Sequence, residues 1–225
     1  MKKLACLHAH HSNIEYIDRA LQSFGIEILH FVDPILSRIL KKDCDFEKEQ
    51  ARNNLKDIIK YIAKSDVDTL LLTCTDYITL LDENFKIDIP ILKIDEPFFE
   101  MICHVEEPQT ILFTNNRTVS GTMERLKQYA RQNNKSIQVK VEVIEVIEGI
   151  FELIMQGRKE EHDVKLEKYL YEIMKDRNEM LSVAQLSMVD ATTRVENIIG
   201  RNIINPLNAL VEYCIQSVNE QPCAK

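Results

Sequence analysis

Tryptophan is absent from this 225-residue chain, and glycine occurs only 5 times and proline 6 times. With so few chain breakers, no long flexible linker is expected. No stretch approaches the roughly 20 consecutive apolar residues of a membrane span. The apolar run near the start, Leu4-Ala5-Cys6-Leu7 behind Met1-Lys2-Lys3, is too short for a secretory signal and fits a first strand better. Positive charge is not in excess. The net charge of -8 argues against nucleic acid or an anionic membrane as a partner. The six cysteines (Cys6, Cys44, Cys74, Cys103, Cys214 and Cys223) show neither C-x-x-C nor zinc-ribbon spacing. Reduced thiols in a cytoplasmic protein are therefore expected. There is no G-x-G-x-x-G and no Walker loop, which argues against a nucleotide phosphate site.

What is present is ordinary globular composition, 45% hydrophobic and 28% charged. The length suits one large domain or two lobes of about 100 residues each. Short apolar runs recur, each followed by a small polar cluster and then a helical pattern. Strands are expected at Lys3–Leu7, Ile26–Phe31, Thr69–Leu72, Ile89–Ile94, Thr110–Thr114, Val139–Ile147, Met180–Ala184 and Asn202–Asn205. Helices are expected at Ile14–Phe24, Ile35–Leu40, Glu49–Lys64, Phe98–His104, Met123–Asn133, Gly149–Lys175 with a break near Gly157–Asp163, Val189–Ile199, and Leu207–Val218. Lys41–Lys48 reads as a charged, solvent-facing stretch. This alternation predicts an α/β fold with parallel sheets and crossover helices, and about eight strands suit two small lobes.

In open α/β sheets, ligands bind just past the carboxyl ends of the strands. Four such ends carry small polar groups: His8–Ser12, Thr73–Asp76, Thr114–Thr122 and Gln185–Ser187. Cys74 stands in the second, flanked by Thr73 and Thr75, which with nearby backbone N–H groups suit an anion beside the sulfur. Taken alone, a cysteine there is also what a small buried hydrophobe looks like. His8, His10 and His11 resemble a metal cluster at first sight, but no carboxylate spacing supports a known site and no metal is expected. Arg117 is either a carboxylate partner or a solvated side chain, and Asp95-Glu96 reads as a charged turn before Pro97 as readily as an acid/base pair. Cys6 and Cys103 sit among apolar neighbours and read as core, and Cys223 lies in a tail. The Cys74 and Gln185 stretches are about half the chain apart, as expected if each lobe contributes an equivalent strand end.

Four segments, by their order and spacing, resemble the aspartate/glutamate racemase superfamily, which includes hydantoin racemases, maleate isomerases and arylmalonate decarboxylases. They are Leu71-Leu72-Thr73-Cys74-Thr75, Ile91-Leu92-Lys93-Ile94-Asp95-Glu96-Pro97, Thr110-Ile111-Leu112-Phe113-Thr114 with Thr118 and Thr122, and Val183-Ala184-Gln185-Leu186-Ser187-Met188. The resemblance covers most of the chain. It implies two pseudosymmetric lobes, each a mainly parallel sheet flanked by helices, with the site in the cleft between them. The lobes are expected at residues 1–96 and 97–204, with residues 205–225 forming a C-terminal helix that returns to the first lobe. It also implies cofactor-independent chemistry at a carbon beside a carboxylate, in which one cysteine from each lobe faces the substrate. Cys74 matches the first cysteine, but Gln185 stands at the second, and an amide is neither acid nor base near neutral pH. The expectation is an isomerase or racemase-like enzyme acting on a small carboxylate or amino-acid derivative through Cys74, with His8, Thr73, Thr75, Thr114, Asn115, Thr118, Gln185 and Ser187 as binding groups. A small-carboxylate sensor without turnover and a single-cysteine lyase or decarboxylase are the alternatives. Relatives commonly pair, so the resemblance also suggests a homodimer.

Overall fold

A computed structural model describes residues 2–39, 45–82, 84–144 and 149–219. Cys44, Cys223, residues 41–44 of the charged 41–48 stretch and the far end of the strand expected to reach Ile147 lie outside the described residues. The chain divides into two compact units, Met1–Glu96 and Pro97–Lys225.

The first unit holds β1 (Lys3–His8), α1 (Asn13–Leu21), β2 (Glu27–Val32), α2 (Pro34–Ile39), α3 (Asp45–Ile62), β3 (Thr69–Leu72), α4 (Thr75–Leu80) and β4 (Ile91–Lys93). Its sheet runs β2-β1-β3-β4, and every pairing is parallel. The central strands are apolar on both faces because both faces are covered: Leu4, Ala5, Cys6, Leu7, Leu70, Leu71 and Leu72 are all buried. Ala51, Leu55, Ile59 and Ile62 form one buried stripe along α3 at helical spacing. The helical pattern that begins at Ile14 ends earlier than expected, because a 3-10 turn (Gln22–Phe24) tightens its last part before Gly25, which adopts the left-handed conformation.

The second unit holds α5 (Asp95–His104), which begins at the unit boundary, β5 (Gln109–Phe113), α6 (Val119–Gln132), β6 (Val139–Val143), α7 (Ile150–Met155), α8 (Lys159–Asp176), β7 (Met180–Val183), α9 (Val189–Ile199) and α10 (Pro206–Asn219). Its sheet runs β6-β5-β7, again parallel throughout. The strand period of two divides its core. Ile111 and Phe113 pack with Phe98, Phe99, Ile102, Leu126 and Ala209, while Leu112 packs with Leu166, Leu170, Met174, Val183 and Val195. The last helix counts with this unit, where Ala209 joins the first of these clusters. Asn205 starts that helix, its side-chain oxygen accepting from Leu207 N (3.1 Å) and Asn208 N (2.9 Å). The end of α8 is held by Arg201, which donates to the carbonyls of Met174, Arg177 and Glu179.

Three sequence expectations change. Asn202–Asn205 is not a strand but a single parallel bridge, Ser182 to Ile204, because Pro206 turns the chain into α10 at once. The polar cluster after β3 folds directly into α4, whose six residues are too few to show helical periodicity. Asp95-Glu96 is the first turn of α5 rather than a turn before it; Pro97 is tolerated there because first-turn N–H groups have no intrahelical partner. Among the described residues no helix is long and apolar enough to cross a membrane.

Leu71 is fully buried, so Leu71→Ala is expected to lower unfolding free energy by about 2–5 kcal/mol. Val164→Ala, at a residue 53% exposed, is expected to change it by less than about 0.5 kcal/mol. Urea denaturation of both variants beside the parent measures the difference.

Candidate active site

The two sheets share one register. In the first unit Leu7 pairs with Leu72, and Thr73 N donates to Leu7 O (3.2 Å). In the second, Leu112 pairs with Val183, and Ala184 N donates to Leu112 O (3.1 Å). Thr73 therefore corresponds to Ala184, and Cys74 to Gln185. On the central strands Ala9 and His10 correspond to Thr114 and Asn115. The bridge at Ile204 matches Leu92 of β4, since Leu71 pairs with Leu92 and Ser182 with Ile204.

Cys74 leaves β3 in an extended conformation (φ -118°, ψ 122°) and caps α4, its carbonyl accepting from Tyr77 N (3.1 Å) and Ile78 N (3.0 Å). It is half-buried, as are Thr75 and Asp76. The Tyr77 hydroxyl donates to Asp33 O and ties α4 to the loop after β2. Thr73 is buried, with its hydroxyl 2.8 Å from His8 Nδ1 and 3.1 Å from Leu7 O. Asn13 Nδ2 approaches the same hydroxyl at 3.4 Å.

His8 is fully buried, and both its ring nitrogens are engaged inside the protein. Its Nε2 lies 2.9 Å from His30 Nδ1, and His30 Nε2 lies 2.9 Å from Asp18 Oδ1. Burial, with His30 beside it, holds His8 at about 4, and Asp18 only partly opposes this. His8 is thus neutral at pH 7. His30 and Asp18 were not singled out in the sequence. The only signal is geometric: β1 and β2 lie side by side in parallel, with Cys6 opposite His30. His10 bonds to Ser12 Oγ through Nδ1 (2.8 Å), and its ring lies tilted against that of His11, which is exposed.

In the second unit Gln185 is half-buried and extended (φ -130°, ψ 139°). Three donors converge on its side-chain oxygen: Thr114 N (2.7 Å), Asn115 N (3.1 Å) and Thr114 Oγ1 (3.0 Å). Two of these are backbone N–H groups, so the accepting atom must be the oxygen, and the amide nitrogen is left as a donor. Asn115 Oδ1 accepts from Arg117 N (3.2 Å), and Thr118 donates to Asn115 O (3.0 Å). These bonds shape the loop. Ser187 is buried in the 3-10 turn after Gln185, and Arg117 is exposed. The first unit thus gathers His8 and Thr73 beside the Cys74 strand end, and the second gathers Thr114, Asn115 and Gln185.

A second polar cluster was not read from the sequence. His162 and Asp163 are both fully buried on α8 and bonded through His162 Nδ1 (2.8 Å), and Lys159 bridges Asp163 to Asp190 of α9. It locks α8 to α9, the helix that follows Gln185.

No protein-family model matches the chain, and no curated protein sequence matches it. Solved structures do. The aspartate racemase of Picrophilus torridus superposes with a TM-score of 0.73 at 15% identity, over 97% of this chain and 95% of its own. The glutamate racemase of Aquifex pyrophilus gives 0.59 at 10% identity, over 96% and 83%. The allantoin racemase of Pseudomonas fluorescens gives 0.57 at 16% identity, over 96% and 91%. The chain has the fold of these proteins.

Gln185→Ala leaves two backbone N–H groups without their acceptor and is expected to cost about 1–3 kcal/mol in urea denaturation. Gln185→Glu keeps an oxygen in place, and the three donors should hold its carboxyl below the usual ~4.3. A folded value below the unfolded one adds stability at neutral pH that is lost as pH falls through the folded value. The Gln185→Glu protein should therefore show a steeper acid loss of stability than the parent.

Proposed function

We propose that the protein is a cofactor-independent, racemase-like isomerase that acts on a small carboxylate or amino-acid derivative, with Cys74 as its acid/base thiol. The observation that carries this reading is the register equivalence of Cys74 and Gln185. It puts a thiol and an amide at matching strand ends of a fold shared with aspartate, glutamate and allantoin racemases.

The chemical demand is to remove a very weakly acidic proton next to a carboxylate. A thiol must therefore be made basic in place, and the charge that builds on the carboxylate must be met by fixed donors. The second unit supports the first requirement by analogy. There the side chain at the Gln185 position faces the backbone N–H groups of Thr114 and Asn115. The matching N–H groups beside Cys74 belong to Ala9 and His10. We infer that these two backbone dipoles face the sulfur as their counterparts face the Gln185 oxygen, an arrangement that favours a thiolate. His8 then acts by positioning, since its bond holds Thr73 immediately before Cys74.

In this reading Gln185 is a binding group. Its oxygen is occupied by Thr114 and Asn115, which aims the amide nitrogen as a donor for a substrate carboxylate. Thr75 of the first unit and Thr118 and Ser187 of the second are the further binding groups in this reading. The amide cannot return a proton, so the wild-type enzyme works one face of the carbon. The same occupied oxygen also favours a second reading, a carboxylate-binding protein without turnover, since an amide has replaced an acid/base group.

Incubation in D₂O with a panel of amino acids, hydantoins and small dicarboxylates, followed by proton NMR, distinguishes them. The enzyme is expected to exchange the α-proton with retained configuration, and Cys74→Ser should lower the rate about 10²–10⁴-fold. Gln185→Cys should convert exchange with retention into racemisation of the same substrate. Saturable binding with no exchange and no conversion across the panel would favour the sensor.

A further inference from the structure

One cluster lies apart from Cys74 and Gln185. Cys6 and His8 are two residues apart on β1 and so project from the same face of the sheet. His30 sits on the neighbouring strand, directly across from Cys6. The cysteine sulfur and one nitrogen of each histidine lie within 4.8 Å of one another, with Cys6 and His8 buried and His30 half-buried.

Hydrogen-bond accounting shows what these groups are prepared for. Ionised, the Asp18 carboxylate can only accept, so His30 Nε2 carries a proton and His30 Nδ1 turns a lone pair toward His8. Thr73 has one hydroxyl proton and two acceptors in reach, His8 Nδ1 and Leu7 O. With that proton donated to His8 Nδ1, donors run from Thr73 through His8 and His30 to Asp18, and the chain is complete. With it on Leu7 O, His8 Nδ1–H donates to Thr73, and two bare imidazole nitrogens face each other at 2.9 Å with the Cys6 sulfur beside them. A rotation of the Thr73 hydroxyl together with a shift of the His8 ring proton from Nε2 to Nδ1 separates the two states.

We propose that Cys6, His8 and His30 form a site for a zinc-class divalent cation. The donor set of one thiolate and two imidazoles suits a borderline-soft ion. Each ligating ring would donate its outer N–H to an oxygen, His30 to the Asp18 carboxylate and His8 to the Thr73 hydroxyl, which is how proteins orient metal-bound histidines. Binding releases one proton from the Cys6 thiol to solvent, and the two histidines enter neutral. A divalent ion, one thiolate and the Asp18 carboxylate then sum to zero charge. The rings need to part by only roughly 0.4 Å to admit bonds of about 2.0–2.1 Å to nitrogen. The ion would tie β2 to β1 and, through His8, fix Thr73 ahead of Cys74. It takes no part in the chemistry at Cys74, and the site stands whether or not that reading does.

The probe is Co²⁺, titrated into the full-length protein after chelator treatment and read by absorption and calorimetry. The expected result is uptake of one equivalent, with a near-ultraviolet thiolate charge-transfer band, and displacement of the Co²⁺ by Zn²⁺. Cys6→Ser should abolish the band, and Cys74→Ser should leave it intact. Asp18 is exposed, so Asp18→Asn tests the site without threatening the fold, and it should weaken Co²⁺ about 10–100-fold. Failure of the folded protein to take up stoichiometric Co²⁺, a band that survives in Cys6→Ser, or unchanged affinity in Asp18→Asn would overturn the proposal.

Discussion

The hydrogen bond that closes each central strand pair decides where chemistry is available in this chain. In one unit Thr73 N donates to Leu7 O, and in the other Ala184 N donates to Leu112 O. One residue further on, the strand stops pairing and the backbone stays extended before a short helix begins. In the second unit the side chain at that residue meets the N–H groups of the neighbouring strand end, those of Thr114 and Asn115. Cys74 and Gln185 both occupy this position. The parallel register, set by apolar side chains buried on both faces, therefore fixes where these two side chains stand.

The two positions differ in what fills them. At Gln185 the oxygen collects three donors from Thr114 and Asn115, which makes the side chain a fixed part of the loop with only its amide nitrogen to offer. At Cys74 the same slot holds a titratable thiol, half-buried at the start of α4. One backbone geometry thus carries a thiol in one unit and a hydrogen-bonding amide in the other. Within a fold shared with aspartate, glutamate and allantoin racemases, that asymmetry is what the proposed one-sided proton transfer rests on.

Buried polar groups here are placed in chains rather than pairs. Thr73, His8, His30 and Asp18 lead from the core of the first unit to its surface, and His162, Asp163, Lys159 and Asp190 join α8 to α9 in the second. Each chain ends on a carboxylate. Both chains also brace the surroundings of a strand end, one at Thr73 and the other at the helix that follows Gln185.

The alternation of apolar runs, polar clusters and helical stripes determined the α/β class, the seven strands seen among the described residues and the strand ends that matter, because parallel strands buried on both faces have a distinctive composition. The same pattern placed Cys74 and Gln185 at those ends, since they follow Leu72 and Val183 closely along the chain. It did not reveal α4, which is too short to show a period, nor reduce Asn202–Asn205 to a single bridge, which Pro206 enforces. Nor could it bring Cys6, His8, His30 and Asp18 together, because their meeting depends on which strand lies beside β1 and in what register. It likewise gave no sign that the Gln185 oxygen is taken by Thr114 and Asn115, some 70 residues away in the chain. Local pattern fixes what a segment becomes; only pairing between distant segments decides which polar atoms end within hydrogen-bonding distance.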